Sequence, residues 1–180
     1  MTLIKECVGI QPFGDVPELV LKIIAANIEA YFKVAAEILP PRDTPDFALD
    51  KRRLQYNAGT ILKTLPLFLP GHCTKIMGVV CTDIFIPIFS YSYGEAEQGG
   101  NFALISLFRL DKNPDGSSPG SALFYERAAK VALHELGHLF NLFHCDEKTC
   151  LMHFSGTMDD LDKIPFYLCR YCSAFLFSAS

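Results

Sequence analysis

Three histidines and one glutamate have the spacing of a metal site. The run from His134 to His144 reads H-E-x-x-H, with a third histidine six residues after the second. On a helix, His134 and His138 stand one turn apart and lean to the same side, so both imidazoles can reach one metal ion. Glu135 lies beside them, within reach of a water activated by the metal. His144 requires a bend after His138. Three neutral nitrogens with an open fourth position predict a catalytic zinc site rather than an ordinary polar helix face.

A second group of potential ligands follows directly. Four cysteines are spaced as C-x4-C, eighteen residues, then C-x2-C, which is typical of a structural tetrathiolate zinc site. They are Cys145, Cys150, Cys169 and Cys172. The alternatives are disulfides and isolated core thiols. The odd total of seven cysteines and the lack of a recognisable secretory signal disfavour a disulfide framework. The other three cysteines are predicted to be small core side chains, namely Cys7, Cys73 and Cys81.

Together these motifs resemble the archaemetzincins, a family of zinc peptidase-like proteins in the metzincin clan. The shared pattern, H-E-x-x-H-x5-H-C-x4-C-x-M and then C-x2-C, runs from His134 to Cys172. The segments Thr82–Phe89, Gly94–Glu97 and Phe108–Leu110 are also similar to this family. The resemblance implies one domain over residues 1–180 with a metzincin-like zincin fold. Such an α/β fold, of the α+β type, has a twisted mixed sheet, backing helices, an active-site helix and a C-terminal helix.

The resemblance also implies a role for each motif residue. In such proteins three histidines bind the catalytic zinc, the glutamate is the general base, four cysteines bind a second zinc, and a methionine turn lies beneath the first metal. These roles map onto His134, His138 and His144, onto Glu135, onto Cys145, Cys150, Cys169 and Cys172, and onto Met152. The expected function is a zinc-dependent peptidase with two zinc ions per chain, acting on a peptide or protein substrate.

Two positions depart from the pattern of the clan. Metzincins usually place glycine three residues after the second histidine, where this chain has Asn141. Asparagine adopts left-handed backbone conformations more readily than other non-glycine residues, so the bend is feasible. In the astacin branch a catalytic tyrosine occupies the position of Phe154, which has no hydroxyl. Any oxyanion stabiliser besides zinc must then come from elsewhere. His153 is one candidate, with a surface or turn histidine as the alternative.

Composition limits the partners. Half of the 180 residues are hydrophobic, enough for one sizeable core. A net charge of −4 and the absence of a basic stripe argue against nucleic acid as the main partner. The apolar stretch Leu19–Leu39 is interrupted by charged residues, so no membrane span is expected. Thiolate zinc ligands need a reducing compartment or protection by the metal, which favours a cytoplasmic location.

Hydrophobic patterning predicts alternating strands and helices. The predicted strands are Leu3–Ile10, Lys75–Cys81, Ile84–Phe89 and Phe102–Leu110. The predicted helices are Pro17–Leu39, Lys51–Leu65, a helix from Ser121 that carries the zinc motif, and Phe166–Phe177. The resemblance implies that Phe102–Leu110 forms the upper rim of the cleft, where an extended peptide could pair as an added strand. The loop Ser90–Gly100, with Glu95 and Glu97, is either a gate beside the cleft or a solvated turn.

Three functions fit these motifs. The first is a zinc peptidase. The second is a peptide-binding protein that keeps the same fold and zinc but hydrolyses nothing efficiently. The third is a zinc-stapled interaction or nucleic-acid module built on the four cysteines. Glu135 favours the enzyme, because a purely structural metal site has no need of a carboxylate there. The acidic charge and the open three-histidine site count against the third function.

Overall fold

The structure is a computed structural model that describes residues 6–178. That range contains eight strands and five helices. The strands are β1 (Cys7–Phe13), β2 (Ala35–Ile38), β3 (Leu49–Asp50), β4 (Gln55–Asn57), β5 (Lys75–Val80), β6 (Ile84–Phe85), β7 (Gly94–Ala96) and β8 (Phe102–Ser106). The helices are α1 (Glu18–Phe32), α2 (Ala58–Leu62), α3 (Ser121–Leu139), α4 (Met158–Lys163) and α5 (Arg170–Ser178). Short 3-10 turns lie at Asp46–Ala48 and Leu65–Phe68.

The main sheet has five strands in the order β2-β1-β5-β8-β7. The first four are parallel, and β7 runs antiparallel to β8 at the edge. The central strand β5 is buried along its whole length, as expected where helices cover both faces of a parallel sheet. A smaller sheet, β3-β4-β6, lies beside it. The mixed α/β class predicted from the sequence is confirmed.

The core has two layers because side chains of β5 alternate between the faces of the sheet. Met77 and Val79 join the larger layer, which contains the buried faces of α1 and α3. Ile76 and Val80 join the smaller layer, which contains α2 and the 3-10 turn after it. The helix spacing predicted for α1 is confirmed by its buried residues, which are Val20, Leu21, Ile24, Ile28 and Phe32. The zinc-motif helix is therefore fixed against α1 and the sheet.

Several predicted boundaries are wrong where short strands replace helix. The helix predicted to reach Leu39 ends at Phe32, because Lys33 takes a left-handed conformation with φ of 60°. Residues Ala35–Ile38 then pair with β1 as strand β2. The predicted helix Lys51–Leu65 is also wrong, since it holds a turn, strand β4 and only five helical residues. In both segments tertiary strand pairing overrides local helix propensity.

Other elements differ in extent. The predicted strand Leu3–Ile10 lies partly outside the described residues, and its described part begins at Cys7 and runs on to Phe13. The predicted loop Ser90–Gly100 contains the edge strand β7. Helix α4 was not predicted, and the last helix begins at Arg170 rather than at Phe166. Helix α3 begins at Ser121, as predicted. Among the helices within residues 6–178, none has the length and apolarity needed to cross a bilayer.

For two of the three remaining cysteines the predicted core burial is confirmed, but the expectation that they are unpaired is wrong. Cys7 and Cys73 are buried, as expected of core side chains, but they form a disulfide across 66 positions of sequence. The pairing follows from the sheet, because Thr74 donates its N–H to the carbonyl of Cys7 at 3.0 Å and so places the preceding residue beside β1. Cys81 is a free thiol and only partly buried.

Candidate active site and metal centres

Helix α3 carries the first motif and is fixed by two buried cations. Arg127 is 1% exposed and donates two hydrogen bonds of 2.7 Å to the carboxylate of Asp162. Lys130, one turn before the first histidine, pairs with Glu126 at 2.6 Å and donates to the carbonyl of Leu161. These contacts tie α3 to α4, which borders the cleft. The motif therefore stands on a helix with little freedom to shift.

The structure brings the three histidines together. Their ligand nitrogens lie within 4.8 Å of one another. The ring of His144 lies 5.3 Å from that of His134 and 4.8 Å from that of His138, between centroids. Nδ1 of His134 donates to the carbonyl of Leu151 at 2.9 Å, and Nδ1 of His138 donates to the carbonyl of Leu142 at 2.8 Å. Because a carbonyl only accepts, these bonds place the proton of a neutral ring on Nδ1 and leave Nε2 free to bind a metal.

Desolvation in the cleft favours the neutral form of the three imidazoles, although His144 is partly open to solvent. Desolvation lowers the pKa of His134 to about 3 and lowers the pKa values of His138 and His144 as well. The neutral form is the one that binds a metal ion. The donor set, three imidazoles with a free position on the cleft side, fits zinc.

Asn141 makes the bend that brings in His144. Its φ is 63°, so asparagine adopts the left-handed conformation that the sequence required at this point. Leu142 then donates its N–H to the carbonyl of Gly137 at 2.9 Å, which closes the end of α3. Gln98 donates to the side-chain oxygen of Asn141 at 3.2 Å, linking the bend to the loop after β7.

The side chain of Glu135 extends from α3 toward the edge strand β7. Its side chain is 8% exposed, and a Cβ atom added at Gly94 would overlap its carboxyl group. A side chain at that position of β7 would therefore displace the carboxyl group of Glu135. Burial, and then the charge of Glu95, raises the pKa of Glu135 to about 8 in the metal-free site. Burial also raises the pKa of Glu95. A nearby dication would favour the ionised form of both carboxyls.

Met152 packs beneath the helix between the first two histidines. It is fully buried, and its sulfur occupies the space that a Cβ at Gly137 would take. Cys145 donates its N–H to the carbonyl of Met152 at 2.8 Å. The glycine inside the helical motif thus lets the methionine approach the backbone of α3.

The four cysteines of the second motif also converge. Their sulfurs lie within 4.8 Å of one another, around a small apolar cluster that contains Leu142 and Met152. Cys150 is fully buried and accepts the N–H of Cys169 at 3.3 Å. Four thiols at this spacing fit a tetrahedral zinc ion. Because Cys145 follows His144 directly, the two groups of ligands are covalently adjacent.

A cleft of about 280 Å³ opens in front of the histidines. Strand β7 forms one wall, and Leu151, Leu161, Ile164 and Phe154 form apolar parts of the others. Glu95 lines the cleft, whereas Glu97 is exposed outside it. His153 does not line the cleft, since its Nδ1 donates to the carbonyl of Cys145 at 2.8 Å. Of its two alternatives, the turn histidine fits this contact.

Some positioning residues escaped the sequence reasoning. Gly137 was recognisable as a glycine inside a predicted helix, whereas Gly94 lies in a segment predicted to be a loop and gave no such signal. Lys75 gave no signal of its role. Its Nζ donates to the carbonyls of Leu139 and Gly100 at 3.0 and 3.2 Å, so a buried cation caps the C-terminal end of α3.

Known proteins are similar to this chain in sequence and fold. The sequence model described as peptidase family M54 matches residues 21–177. The chain belongs to the archaemetzincin family. An archaemetzincin of Methanocaldococcus jannaschii is 38% identical over 163 residues, which cover 91% of this chain and 88% of that protein. An archaemetzincin of Archaeoglobus fulgidus is 34% identical over 165 residues, covering 92% and 95%. By family, the chain is a zinc metallopeptidase, a hydrolase.

Solved archaemetzincin structures have the same fold. The structure of the Archaeoglobus fulgidus archaemetzincin in complex with malonate superposes with a TM-score of 0.81 at 32% identity, covering 94% of this chain and 99% of that one. The structure of the Methanopyrus kandleri archaemetzincin gives a TM-score of 0.85 at 27% identity, covering 99% and 97%. The metzincin-like fold that the motifs implied is confirmed by these archaemetzincin structures.

Proposed function

We propose that the chain hydrolyses peptide bonds with a zinc ion held by His134, His138 and His144 and with Glu135 as the general base. The observation that carries this proposal is the convergence of three neutral imidazoles and one buried carboxylate in a single cleft. A bound zinc ion supplies a Lewis acid that polarises a carbonyl and acidifies water. The remaining chemistry belongs to side chains of this chain.

Glu135 moves the proton in this proposal. Its carboxylate accepts a proton from the attacking water and later delivers one to the leaving amine. Its position against Gly94, inside the cleft that the three histidines line, supports this role, because a bound dication would favour the ionised carboxylate that accepts the proton. Phe154 lines the cleft without a hydroxyl, so it contributes apolar contact to the substrate rather than charge stabilisation.

The substrate is proposed to pair with β7 as an added strand. The rim implied by the resemblance, Phe102–Leu110, has no free edge, since β8 lies between β5 and β7. The N–H of Ser106 donates to the carbonyl of Tyr93, and the N–H of Glu97 donates to the carbonyl of Phe102. The backbone groups of Tyr93 and Glu97, which flank β7, therefore face β8. Backbone groups alternate along a strand, and Ala96 therefore presents its N–H and C=O to the outer side. An extended peptide can bond there.

A second zinc is proposed for Cys145, Cys150, Cys169 and Cys172. Its effect is on folding, because α5 has few buried side chains of its own and Cys169 and Cys172 fix its first turn near the active site. Replacing Cys169 by serine should release one zinc and lower stability before it changes chemistry. We further propose one domain over residues 1–180 and a cytoplasmic location, which four thiolate ligands favour.

Peptide profiling by mass spectrometry tests the proposal. A diverse peptide mixture is incubated with zinc-loaded protein, with Glu135→Ala, and with Glu97→Gln as a matched carboxylate control outside the cleft. The expected result is cleavage by the parent protein and by Glu97→Gln, and none by Glu135→Ala at equal zinc content. Equal cleavage by all three proteins would remove Glu135 from the mechanism, whereas no cleavage by any of them would favour a binding protein on this fold.

A further inference from the structure

A third group of ligands lies outside the cleft, at the edge where β1 and β2 meet the turn before β5. It consists of Cys7, Glu37, His72 and Cys73. Their ligand atoms lie within 4.8 Å of one another, the same limit that holds for the three histidines and for the four cysteines of the motifs. None of the four lines the cleft in front of the histidines. This cluster is called the Cys7 cluster below.

The sheet itself assembles the Cys7 cluster. Glu37 pairs with Gly9 in the register of β1 and β2, and residues two apart on a strand share a face, so Glu37 stands on the face of Cys7. Gly9 has no side chain, and Pro70 approaches to 3.6 Å from where its Cβ would be. The turn after Pro70 then delivers His72 and Cys73 to the same face.

The Cys7–Cys73 disulfide explains why two of the four residues lie together, but not why Glu37 and His72 join them. His72 and Glu37 contact each other at 2.5 Å, and their side chains are 64% and 48% exposed. An exposed pair of this kind contributes little stability by itself. The two sulfurs beneath it are buried. The Cys7 cluster therefore combines two buried sulfur donors with an imidazole and a carboxylate that solvent can reach. An ion could enter from the solvent side and meet all four donors.

We propose that, with the disulfide reduced, Cys7, Cys73, His72 and Glu37 bind a third zinc ion. Two thiolates, one imidazole and one carboxylate are donors that zinc accepts, and a tetrahedral zinc ion separates such donors by about 3.3–3.8 Å. Hard cations such as magnesium are disfavoured by the two sulfurs. The site is structural in kind, since four protein donors leave no open position.

Reduction and metal binding balance as two separate steps. A dithiol reductant gives two electrons and two protons to the Cys7–Cys73 bond, which breaks to two thiols while the reductant closes its own disulfide. Zinc then displaces the two thiol protons into solvent. The disulfide and the third zinc exclude each other, so the redox state of one cysteine pair controls the occupancy of the site.

Counting zinc on intact protein tests this proposal without reference to peptidase activity. Parent protein and the variants His72→Asn, Glu37→Gln and Cys73→Ser are kept in a dithiol reductant, equilibrated with buffered zinc, and weighed by native mass spectrometry. We expect the parent to hold one zinc more than Cys73→Ser. His72→Asn and Glu37→Gln leave both cysteines in place and change exposed side chains, so they should fold and bind the extra zinc at least about tenfold more weakly.

Cys81→Ser is the matched control, because Cys81 is a thiol outside the Cys7 cluster. It should keep the extra zinc at the parent's affinity. Two results would overturn the proposal. One is a reduced parent protein with no more zinc than Cys73→Ser. The other is an extra zinc whose affinity is unchanged by both His72→Asn and Glu37→Gln, which would place that ion elsewhere.

Discussion

The ion pair between Arg127 and Asp162 gives the most direct test of how the zinc-motif helix is held. Asp162→Asn keeps the size of the side chain and removes its charge. The guanidinium of Arg127 is 1% exposed and loses its two bonds of 2.7 Å to a carboxylate. Its remaining bonds run to the carbonyls of Leu110 and Lys112 and to the side chain of Asn113 at 2.9–3.2 Å. The cation stays buried without an ion-pair partner among the described residues, and the longer-range charge of Asp159 is left to offset it.

The expected cost follows from that burial. Removing one partner of a buried pair costs about 3–5 kcal/mol, because the other charge is left uncompensated. The side chain of Asp162 is 28% exposed, so water screens the pair in part and the lower end applies. We expect a loss of about 3 kcal/mol in unfolding free energy. For a chain of this length that is roughly 6–12 °C in melting temperature.

Urea unfolding of the zinc-loaded proteins measures this loss. Asp43→Asn is the matched control, because the side chain of Asp43 is exposed and forms no hydrogen bond or ion pair within residues 6–178, and it should change stability by less than about 0.5 kcal/mol. Zinc content of folded Asp162→Asn should equal that of the parent, because no proposed ligand is altered. A loss below about 1 kcal/mol for Asp162→Asn would refute the view that this pair anchors α3.

Three further changes probe the elements around the cleft. Asn141→Val places a β-branched residue at φ of 63° and should lower the unfolding free energy by about 1–2 kcal/mol in urea, whereas Asn141→Gly should keep it. Equal stability of the two variants would show that the bend tolerates any residue. Burial lowers the pKa of Lys75 below its ordinary value of about 10.5. The unfolded chain therefore binds this proton more tightly than the folded chain does. As a result, the unfolding free energy of the parent protein should rise as the pH increases toward about 10.5. The unfolding free energy of Lys75→Met, measured between pH 8 and 10.5, should lack this rise. Parallel curves of unfolding free energy against pH for the two proteins would contradict the prediction. Ala96→Pro removes one outward N–H of β7 and should raise KM about 2- to 10-fold for a cleaved peptide, while Ala96→Ser should not; an unchanged KM would mean that the substrate does not pair there.

The zinc-motif helix could be predicted because its information is local. The spacing of His134 and His138 needs only helical geometry, and Asn141 identifies the bend by its backbone preference. Such features depend on neighbours in sequence, and the structure bears out their local geometry. The methionine turn at Met152, by contrast, was implied by the family resemblance and not by the spacing itself.

Strands β2, β4 and β7 could not be predicted, since each is only three or four residues long. A strand of that length carries too few side chains for an alternating pattern. Ala35–Ile38 even favours helix, and only the paired edge of β1 turns it into strand. The pairing of Cys7 with Cys73 is equally non-local, because parallel strands bring together residues 66 positions apart.

Strand β7 shows why the missing part matters for function. A gate or a solvated turn were the two interpretations of Ser90–Gly100, and neither places backbone hydrogen-bonding groups along the cleft. As the edge strand of the main sheet, β7 brings Gly94 against Glu135 and Glu95 into the cleft. The proposed base, Glu135, therefore packs against Gly94, which has no side chain and lies in a segment whose sequence shows no strand pattern. Composition and spacing identify the groups that can do chemistry, whereas the pairing of strands decides which backbone edge a substrate meets.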